Sequence, residues 1–330
     1  MKLWQTLGIS AACFVTAACQ GASEEVALGD GEGSSAGASY STGLASEIQS
    51  GLIDCGEGSR VSSVGEITSD DGKNWIVPAQ TQFETAAKAT DLYNECGDAA
   101  LSSLDELGLA SVPLMDAGGD EEFAMFIFAD NYFELNINGK LIAVDAVPFT
   151  PFNSSVVRFK AARPLTIAIK GVDWEENLGI GSEANRSSSY HPGDAGIVAL
   201  LQDAEGKPVT ITDASWKAQT FYTAPLNDRA CLVDSGNVRD SSACASTASD
   251  QGPQMSAAHW QVPADWMNAD FDDSNWPSAA TFTNDVVGVD NKPGYTNFTS
   301  VFDAPDADAE FIWSSNLVLD NLVLMRKTVE

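Results

Sequence analysis

One stretch of the sequence restricts this chain to a fold built on paired strands. The run Phe123–Phe128 is apolar, and Tyr132–Ile137 alternates apolar with polar residues. An Asn138-Gly139 pair then leads into the apolar segment Lys140–Val144. Asn-Gly between two apolar runs is the strongest short-range signal for a β-hairpin, because both residues tolerate the positive φ angles of a tight turn. The pattern therefore predicts two antiparallel strands joined at residues 138–139.

Further short segments extend this pattern to the end of the chain. They are rich in β-branched or aromatic residues and are separated by Gly, Pro and Asn, which is typical of strands and turns. The predicted strands are Ser155–Phe159, Leu165–Lys170, Ile197–Gln202, Pro208–Thr212, Glu310–Trp313 and Leu322–Arg326. The sequence shows neither a βαβ rhythm nor an internal repeat. We therefore expect a mostly-β fold, an antiparallel β-sandwich or jelly roll, over residues 121–330.

Residues 51–120 carry mixed signals. Trp75–Pro78 has the composition of a short strand, whereas Ala86–Cys96 and Ala100–Leu109 have some helical spacing. We expect a small mixed lead-in region that packs on the main domain.

The first residues have the layout of a secretory signal. Lys2 is followed by an apolar stretch, Leu7–Ala18, that ends in small residues. This stretch is too short for a helix to cross about 30 Å of hydrocarbon. Residues 1–18 are therefore predicted to be a signal peptide, and the protein is predicted to be exported.

The end of this signal, Thr16-Ala17-Ala18-Cys19, resembles the lipobox of bacterial lipoproteins. The resemblance implies that Cys19 is lipidated and anchors the mature chain to a membrane, and Gln20 after it implies the outer membrane. The alternative is ordinary cleavage near Ala18 that leaves Cys19 as a thiol. Residues 19–50 are otherwise rich in Gly, Ser and acidic residues, which is typical of a flexible tether.

The cysteines agree with an oxidising compartment. Of six cysteines, Cys13 lies in the predicted signal and Cys19 at the predicted lipid site. The remaining four allow three disulfide pairings, and pairing of nearest neighbours gives Cys55–Cys96 and Cys231–Cys244. Zinc is the competing interpretation, but no Cys-x-x-Cys pair occurs and the chain has only two histidines.

The charge excludes one class of partner. The chain has 17 basic and 47 acidic residues, a formal net charge of −30. The negative electrostatic field of such a chain repels nucleic acid, and the sequence contains no basic patch. A strongly acidic surface favours solubility at high salt, so the acidic bias alone does not indicate a calcium site.

Three segments are similar to recurring phrases of galactose-binding-like β-sandwich modules, which accompany bacterial glycosidases such as α-rhamnosidases. They are Ala129–Lys140, Thr212–Lys217 and Phe271–Pro277. The resemblance implies a sandwich that binds sugars or other surface ligands, or that braces a neighbouring domain. For Asp272, Asp273 and Trp276 we favour a structural turn over ligand contact, because Asp-Asp-Ser next to Trp-Pro suits a capped turn.

The best ligand-binding candidate is a long loop after the strand that ends near Lys170. It combines Gly with aromatic and polar residues, which can stack on a sugar and accept its hydroxyls. The candidate residues are Trp174, Glu175, Glu176, Asn177, Tyr190, His191 and Asp194, with Trp313 and Asn316 as a second set at a late turn. The same oxygens suit calcium, although no EF-hand spacing is present. The alternative is that Trp174 fills the core and the acidic residues form a solvated rim.

We predict a non-catalytic protein. Neither His191 nor His259 lies in a recognisable nucleophile motif, and the adjacent Glu175 and Glu176 face opposite sides if they lie in a strand. The predicted function is ligand binding at loops of the sandwich, with carbohydrate as the favoured ligand. The alternatives are a cell-surface scaffold that docks a protein partner and, less favoured, a hydrolase that depends on His191.

Overall fold

The computed structural model describes residues 37–52, 62–94, 96, 100–148, 152–184, 189–245 and 252–330. The predicted signal peptide, Cys19 and Cys55 lie outside these residues. The strands are β1 (Ser39–Thr42), β2 (Ser46–Ser50), β3 (Ser63–Thr68), β4 (Asn74–Val77), β5 (Thr90–Tyr93), β6 (Leu114–Asp116), β7 (Glu121–Asp130), β8 (Tyr132–Ile137), β9 (Lys140–Val144), β10 (Asn153–Ala161), β11 (Leu165–Val172), β12 (Gly196–Asp203), β13 (Pro208–Ile211), β14 (Lys217–Leu226), β15 (Val233–Ser235), β16 (Val238–Asp240), β17 (Ser256–His259), β18 (Ala280–Phe282), β19 (Asp303–Ala304), β20 (Ala307–Asp308), β21 (Phe311–Trp313) and β22 (Asp320–Val329). The described residues also form the short α-helices α1 (Asn284–Val287), α2 (Pro293–Thr296) and α3 (Thr299–Phe302), and single 3-10 turns at Leu104–Glu106, Leu109–Ser111 and Arg229–Cys231.

Two large sheets make up the sandwich. One has seven strands in the order β1-β17-β14-β22-β11-β8-β9. The other has eight strands, with the order β18-β21-β12-β7-β10-β5 and with β13 and β6 paired to β12 and β10. Strands β2-β3-β4 form a small third sheet, and β15-β16 and β19-β20 form ribbons. Pairing within the large sheets is antiparallel apart from β6 with β10. The predicted mostly-β sandwich is confirmed.

The main core lies between the two large sheets. Phe133, Leu135 and Ile137 of β8 belong to one apolar cluster with Phe123 and Ile127 of β7. The alternation in β8 places every second side chain on this inner face, as the period of a strand requires. The predicted turn is also confirmed, since Asn138 and Gly139 have φ angles of 50° and 83°.

Both outer faces of the sandwich are covered as well. On the seven-stranded sheet, Ala168 and Leu324 face a second apolar cluster that contains Val64 of β3 and Trp266. On the eight-stranded sheet, the covering layer is made of the short helices and the residues between them, and Tyr295, Phe298, Val301 and Phe302 join the main core cluster. Residues before β7 and residues after β17 thus cover the outer faces of the two sheets.

The region 51–120 differs from the prediction. The helix predicted over Ala86–Cys96 is wrong, because β5 occupies this segment and pairs with β10. The spacing over Ala100–Leu109 yields only short 3-10 turns. The strand predicted at Trp75 is confirmed as β4. Since β3 and β4 cover one large sheet while β5 and β6 belong to the other, the described part of this region is integrated into the sandwich.

The predicted tether also differs from the structure. Its described residues, 37–50, include β1, which pairs with β17, and β2, which pairs with β3. The Ser41 side chain of β1 is fully buried. Small polar residues form strands here because the edges that they meet supply the hydrogen bonds.

The cysteines follow the predicted pairing where the structure describes them. Cys231 and Cys244 form a disulfide. Cys96 is disulfide-bonded, and its predicted partner, Cys55, lies outside the described residues. In the described part of the chain, no helix has the length and apolar character needed to cross a membrane.

Candidate functional site

The long loop after β11 is fixed to the end of the sandwich by its own backbone. The amide of Asp173 donates to the carbonyl of Asn321 at 2.9 Å, and the amide of Trp174 donates to Asn131 Oδ1 at 2.6 Å. Further along, Glu183 and His191 exchange two backbone hydrogen bonds of 2.8 and 2.9 Å. The described part of this loop is therefore held at several points.

Trp174 lies inside the molecule rather than on the loop surface. Its side chain is 1% exposed and meets the Tyr132 ring edge to face at 5.9 Å. This position agrees with the alternative interpretation, in which Trp174 fills the core. A ring buried in this way presents no face to a sugar.

Three predicted ligand-binding residues form hydrogen bonds within the protein, most of them inside the loop. Glu175 is buried and accepts hydrogen bonds from the Tyr222 hydroxyl at 3.2 Å and from the Gly181 amide. Burial raises the pKa of Glu175 to about 7. Glu176 Oε2 accepts from the Ala184 amide at 2.9 Å. Asn177 Nδ2 donates to Ser182 Oγ at 3.3 Å. These residues hold the shape of the loop.

The described solvent-facing part of the loop carries acidic residues and the exposed rings of Tyr190 and His191. Tyr190 is 45% exposed, and His191 beside it is also exposed. A Cβ built on Gly193 would lie 3.1 Å from Glu183 Oε1 and 3.4 Å from Asp173 Oδ1, so both carboxyl groups flank this glycine. Burial, followed by the negative charge of Glu183, raises the pKa of Asp173 well above its usual range. Burial also raises the pKa of Asp194.

The second set of candidates does not join this loop. Trp313 is fully buried in the core between the sheets, where a Cβ on Gly171 would come within 2.5 Å of its ring. Its Nε1 donates to the carbonyl of Asp320 at 2.7 Å. Trp174 belongs to the other apolar cluster, so the two tryptophans lie on opposite faces of the seven-stranded sheet. Asn316 caps its turn, because its Oδ1 accepts from the amides of Val318 and Leu319 at 3.0 and 3.1 Å.

The segment Phe271–Pro277 is structural, as predicted. Asp272 accepts from the Ser274 amide at 3.0 Å, and hydrogen bonds from Ser274 lower the pKa of Asp272. Asp273 pairs with the buried Arg326 at 2.7 Å. Trp276 is 7% exposed and packs on Phe271 with ring centroids 5.5 Å apart.

Sequence reasoning missed a buried Ser–His pair. Ser41 Oγ and His259 Nε2 are hydrogen-bonded at 2.7 Å, and the imidazole is stacked between Trp75 and Tyr222 at 5.2 and 5.0 Å. Burial lowers the pKa of His259 to about 3, so the ring is neutral at pH 7. No local signal connects Ser41 with His259, because they meet only through the pairing of β1 with β17.

It also missed a buried acid. The Asp320 carboxylate is fully buried and accepts from the hydroxyls of Thr223, Ser241 and Ser314 at 2.7, 2.8 and 2.6 Å. Burial raises the pKa of Asp320 to about 6 against the effect of these hydrogen bonds. The carboxylate oxygens of Asp320 therefore accept hydrogen bonds from three separate segments of the chain.

Comparison with known proteins finds no match. No protein-family model fits the sequence, and no curated protein or solved structure is significantly similar to the chain. The β-sandwich itself is established by the structure, whereas the likeness to galactose-binding-like modules stays a prediction. Within the described residues, no group of three or more His, Cys, Asp or Glu side chains is arranged to hold a metal ion.

Proposed function

We propose that this protein is a non-catalytic binding protein whose sandwich presents the loop after β11, described over residues 173–184 and 189–195, to a carbohydrate. The observation that carries the proposal is the position of Tyr190, a 45% exposed ring on a loop that is fixed to the end of the sandwich. The partly exposed acids Glu183 and Asp194 lie on the same loop. The short phrases that resemble galactose-binding-like modules favour a saccharide over other ligands.

The chemistry of this surface suits a sugar. An aromatic ring stacks on the apolar face of a saccharide, and carboxylate oxygens accept its hydroxyl protons. Because Glu175, Glu176 and Asn177 already hold the loop, binding loses little conformational freedom. Tyr190 therefore replaces Trp174 as the proposed stacking residue.

The proposal of a non-catalytic role is supported by the surroundings of the residues that a hydrolase would need. Ser41 and His259 are hydrogen-bonded but are 0% and 2% exposed, so a substrate does not reach them. Glu175 is buried beneath the loop. His191 is exposed, and its Nδ1 lies 3.5 Å from the carbonyl of Ser189.

The proposal includes export and attachment to the outer membrane through a lipid on Cys19, with no nucleic acid as partner. It is supported by the layout of residues 1–19 and by the disulfide Cys231–Cys244, which requires an oxidising compartment. Mass spectrometry of the N-terminal peptide tests the lipid directly. An unmodified Cys19 would contradict it.

The experiment is a screen of polysaccharides by thermal unfolding, followed by calorimetry with any glycan that raises the melting temperature. We expect Tyr190→Ala to weaken binding of that glycan at least tenfold. Leu114→Ala on β6, which also removes an exposed apolar side chain, is the control and should bind as the unchanged protein does. A glycan that binds both variants with the same affinity would contradict Tyr190 as the binding site. If no glycan in the screen binds the protein, the proposed function itself is contradicted.

A second function, docking of a protein partner, is favoured by one observation. Leu44 and Ile48 are 60% and 56% exposed, and Ile48 lies in β2, at the outer position of the order β2-β3-β4. Exposed apolar residues on an edge strand suit addition of a partner's strand. Cross-linking in membranes should then capture one partner with the unchanged chain and none with Ile48→Lys. Equal capture by both would contradict it.

A further inference from the structure

One short segment closes one side of the sandwich by joining the edges of both large sheets. At the end of β9, the amide of Val144 donates to the carbonyl of Ala87 at 2.9 Å, and the amide of Ala89 donates to the carbonyl of Val144 at 2.8 Å. Immediately afterwards the chain becomes β5, which pairs with β10. Because β9 and β5 are the outermost strands of their sheets on this side, this segment links the two edges.

Four polar side chains meet inside this linked edge. Asp91 of β5 lies directly opposite Ser155 of β10, so both side chains are on the same face. Asn153 is two residues before Ser155 and shares that face. Asp145, which follows β9, completes the group, because Asn153 Nδ2 donates to Asp145 Oδ1 at 2.6 Å. The two sheets thus contribute to one polar cluster.

Every member of the cluster has an oxygen that receives no hydrogen bond from the described protein groups. These shielded oxygens are Asp91 Oδ1, Asp145 Oδ2, Asn153 Oδ1 and Ser155 Oγ. Asp145, Asn153 and Ser155 are at most 1% exposed. Buried polar atoms nearly always have a partner, so four such oxygens in one place require an explanation.

The cluster also lacks a positive charge. Among the ion pairs of the described residues, none includes Asp91 or Asp145. The Asp91 and Asp145 carboxyl groups lie close enough for their charges to interact. Buried carboxylates are strongly unfavourable unless a cation or a proton compensates them.

We propose that Asp91, Asp145, Asn153 and Ser155 bind a calcium ion that connects the edges of the two sheets. Calcium takes six to eight oxygen ligands and accepts carboxylate, amide and hydroxyl oxygens in flexible geometry. An oxygen-only set does not suit zinc, which prefers nitrogen and sulfur, and magnesium prefers to keep several waters. This site is separate from the loop after β11. The calcium proposal therefore does not depend on whether that loop binds a carbohydrate.

The competing explanation is a proton instead of a metal. A protonated Asp145 can donate from Oδ2 to a neighbouring oxygen of the cluster, which also removes the charge. The two explanations differ in their response to calcium, since only the metal site binds calcium in the folded state and not in the unfolded state.

The test is a calcium titration of the full chain after treatment with a chelator, by calorimetry and by thermal unfolding. A hundredfold excess of calcium over the dissociation constant multiplies the folded-to-unfolded ratio by about a hundred, which raises the melting temperature by about 5 °C. We expect Asp145→Asn to lose calcium binding and this shift. Asp320→Asn, which changes an equally buried acid outside the cluster, should keep both.

A milder variant covers the case in which Asp145→Asn does not fold. Ser155→Ala removes one ligand oxygen and should weaken calcium binding about tenfold while the chain stays folded. Absence of calcium binding by the unchanged chain would overturn the proposal, as would equal affinity in Ser155→Ala. A shift that survives Asp145→Asn but disappears in Asp194→Asn would place the ion in the loop and would also overturn it. A larger shift with magnesium than with calcium would overturn the choice of metal.

Discussion

The outer faces of both large sheets are covered by apolar residues, but the cover of the seven-stranded sheet also contains buried charged contacts. On the seven-stranded sheet, Arg326 is 1% exposed and donates to Asp273 and to the carbonyls of Trp266 and Asn268. On the eight-stranded sheet, the covering layer packs through apolar rings, with Phe298 fully buried. Buried charged contacts depend on the geometry of hydrogen bonds, whereas apolar packing depends mainly on filled volume. The two faces should therefore respond differently to substitution.

A second charged contact supports this difference. On the seven-stranded sheet, Lys170 and Glu134 form an ion pair of 2.8 Å with side chains only 14% and 4% exposed. Glu134 also accepts from the Gln82 amide at 2.6 Å, and Lys170 donates to the carbonyl of Gln80 at 3.1 Å. The pair therefore attaches the segment before β5 to this face.

The largest effect is expected at Arg326. Arg326→Met keeps an apolar stem but leaves Asp273 and two carbonyl groups without their donor, and loss of one partner from a buried ion pair costs about 3–5 kcal/mol. The measurement is urea unfolding at pH 7. Lys327→Met is the control, because Lys327 lies on the opposite face of the same strand and is half-buried, and it should cost less than about 1 kcal/mol. Equal costs would contradict a stabilising role for the buried charged contacts on this face.

A smaller effect is expected from pH on the same face. His259 is neutral in the folded chain because burial lowers its pKa to about 3, whereas the unfolded chain binds a proton below about pH 6.5. Stability should therefore fall as the pH drops from 6.5 towards 3, by at most about 1.4 kcal/mol for each pH unit. Relative to His259→Gln, the unchanged chain should lose about 2 kcal/mol more between pH 6.5 and 4.5.

Two comparisons make this measurement specific. His191→Gln changes the other histidine, which is exposed, and should follow the unchanged chain over the same range. Glu175 acts in the opposite direction, since a carboxyl with a raised pKa stabilises at low pH and loses that contribution as the pH rises through about 7. A parallel pH dependence for His259→Gln and the unchanged chain would contradict a neutral buried imidazole.

The smallest effect is expected on the apolar cover. Phe298→Leu keeps an apolar side chain of similar volume at a fully buried position, and such exchanges cost about 1 kcal/mol. Phe282→Leu, at a half-buried site on β18, is the control and should cost less. The measurement is again urea unfolding. If Phe298→Leu destabilised the chain as much as Arg326→Met, the contrast between the two faces would disappear.

The sequence indicated the strands that combine apolar residues with clear turns. Strand β8 alternates and ends at Asn138-Gly139, so its face and its partner were both predictable. By contrast, β14 was not recognised although it is an interior strand of its sheet. It contains Gln219 and Thr223, which are buried but bonded to the carbonyl of Asn237 and to Asp320. Polar residues that form hydrogen bonds inside the fold resemble loop residues in the sequence.

The candidate site was predictable only in outline. The loop after β11 was recognised from its length and composition, but burial separates Trp174 from Tyr190, and burial depends on the second sheet and its cover. The cluster of Asp91, Asp145 and Asn153 had no sequence signal, because its members come from three segments that meet only where the sheet edges are linked. Such sites depend on tertiary contacts between residues far apart in the chain.

The position of β22 has a consequence for biosynthesis. This strand, Asp320–Val329, pairs with β14 on one side and with β11 on the other, so it is the central strand of its sheet. A nascent chain that has reached residue 319 holds two halves of this sheet with nothing between them. Such a chain exposes unpaired strand edges, which promote aggregation until β22 has been synthesised. The seven-stranded sheet is therefore expected to form only after residue 329 has left the ribosome, and a chain that stops before residue 320 should not fold.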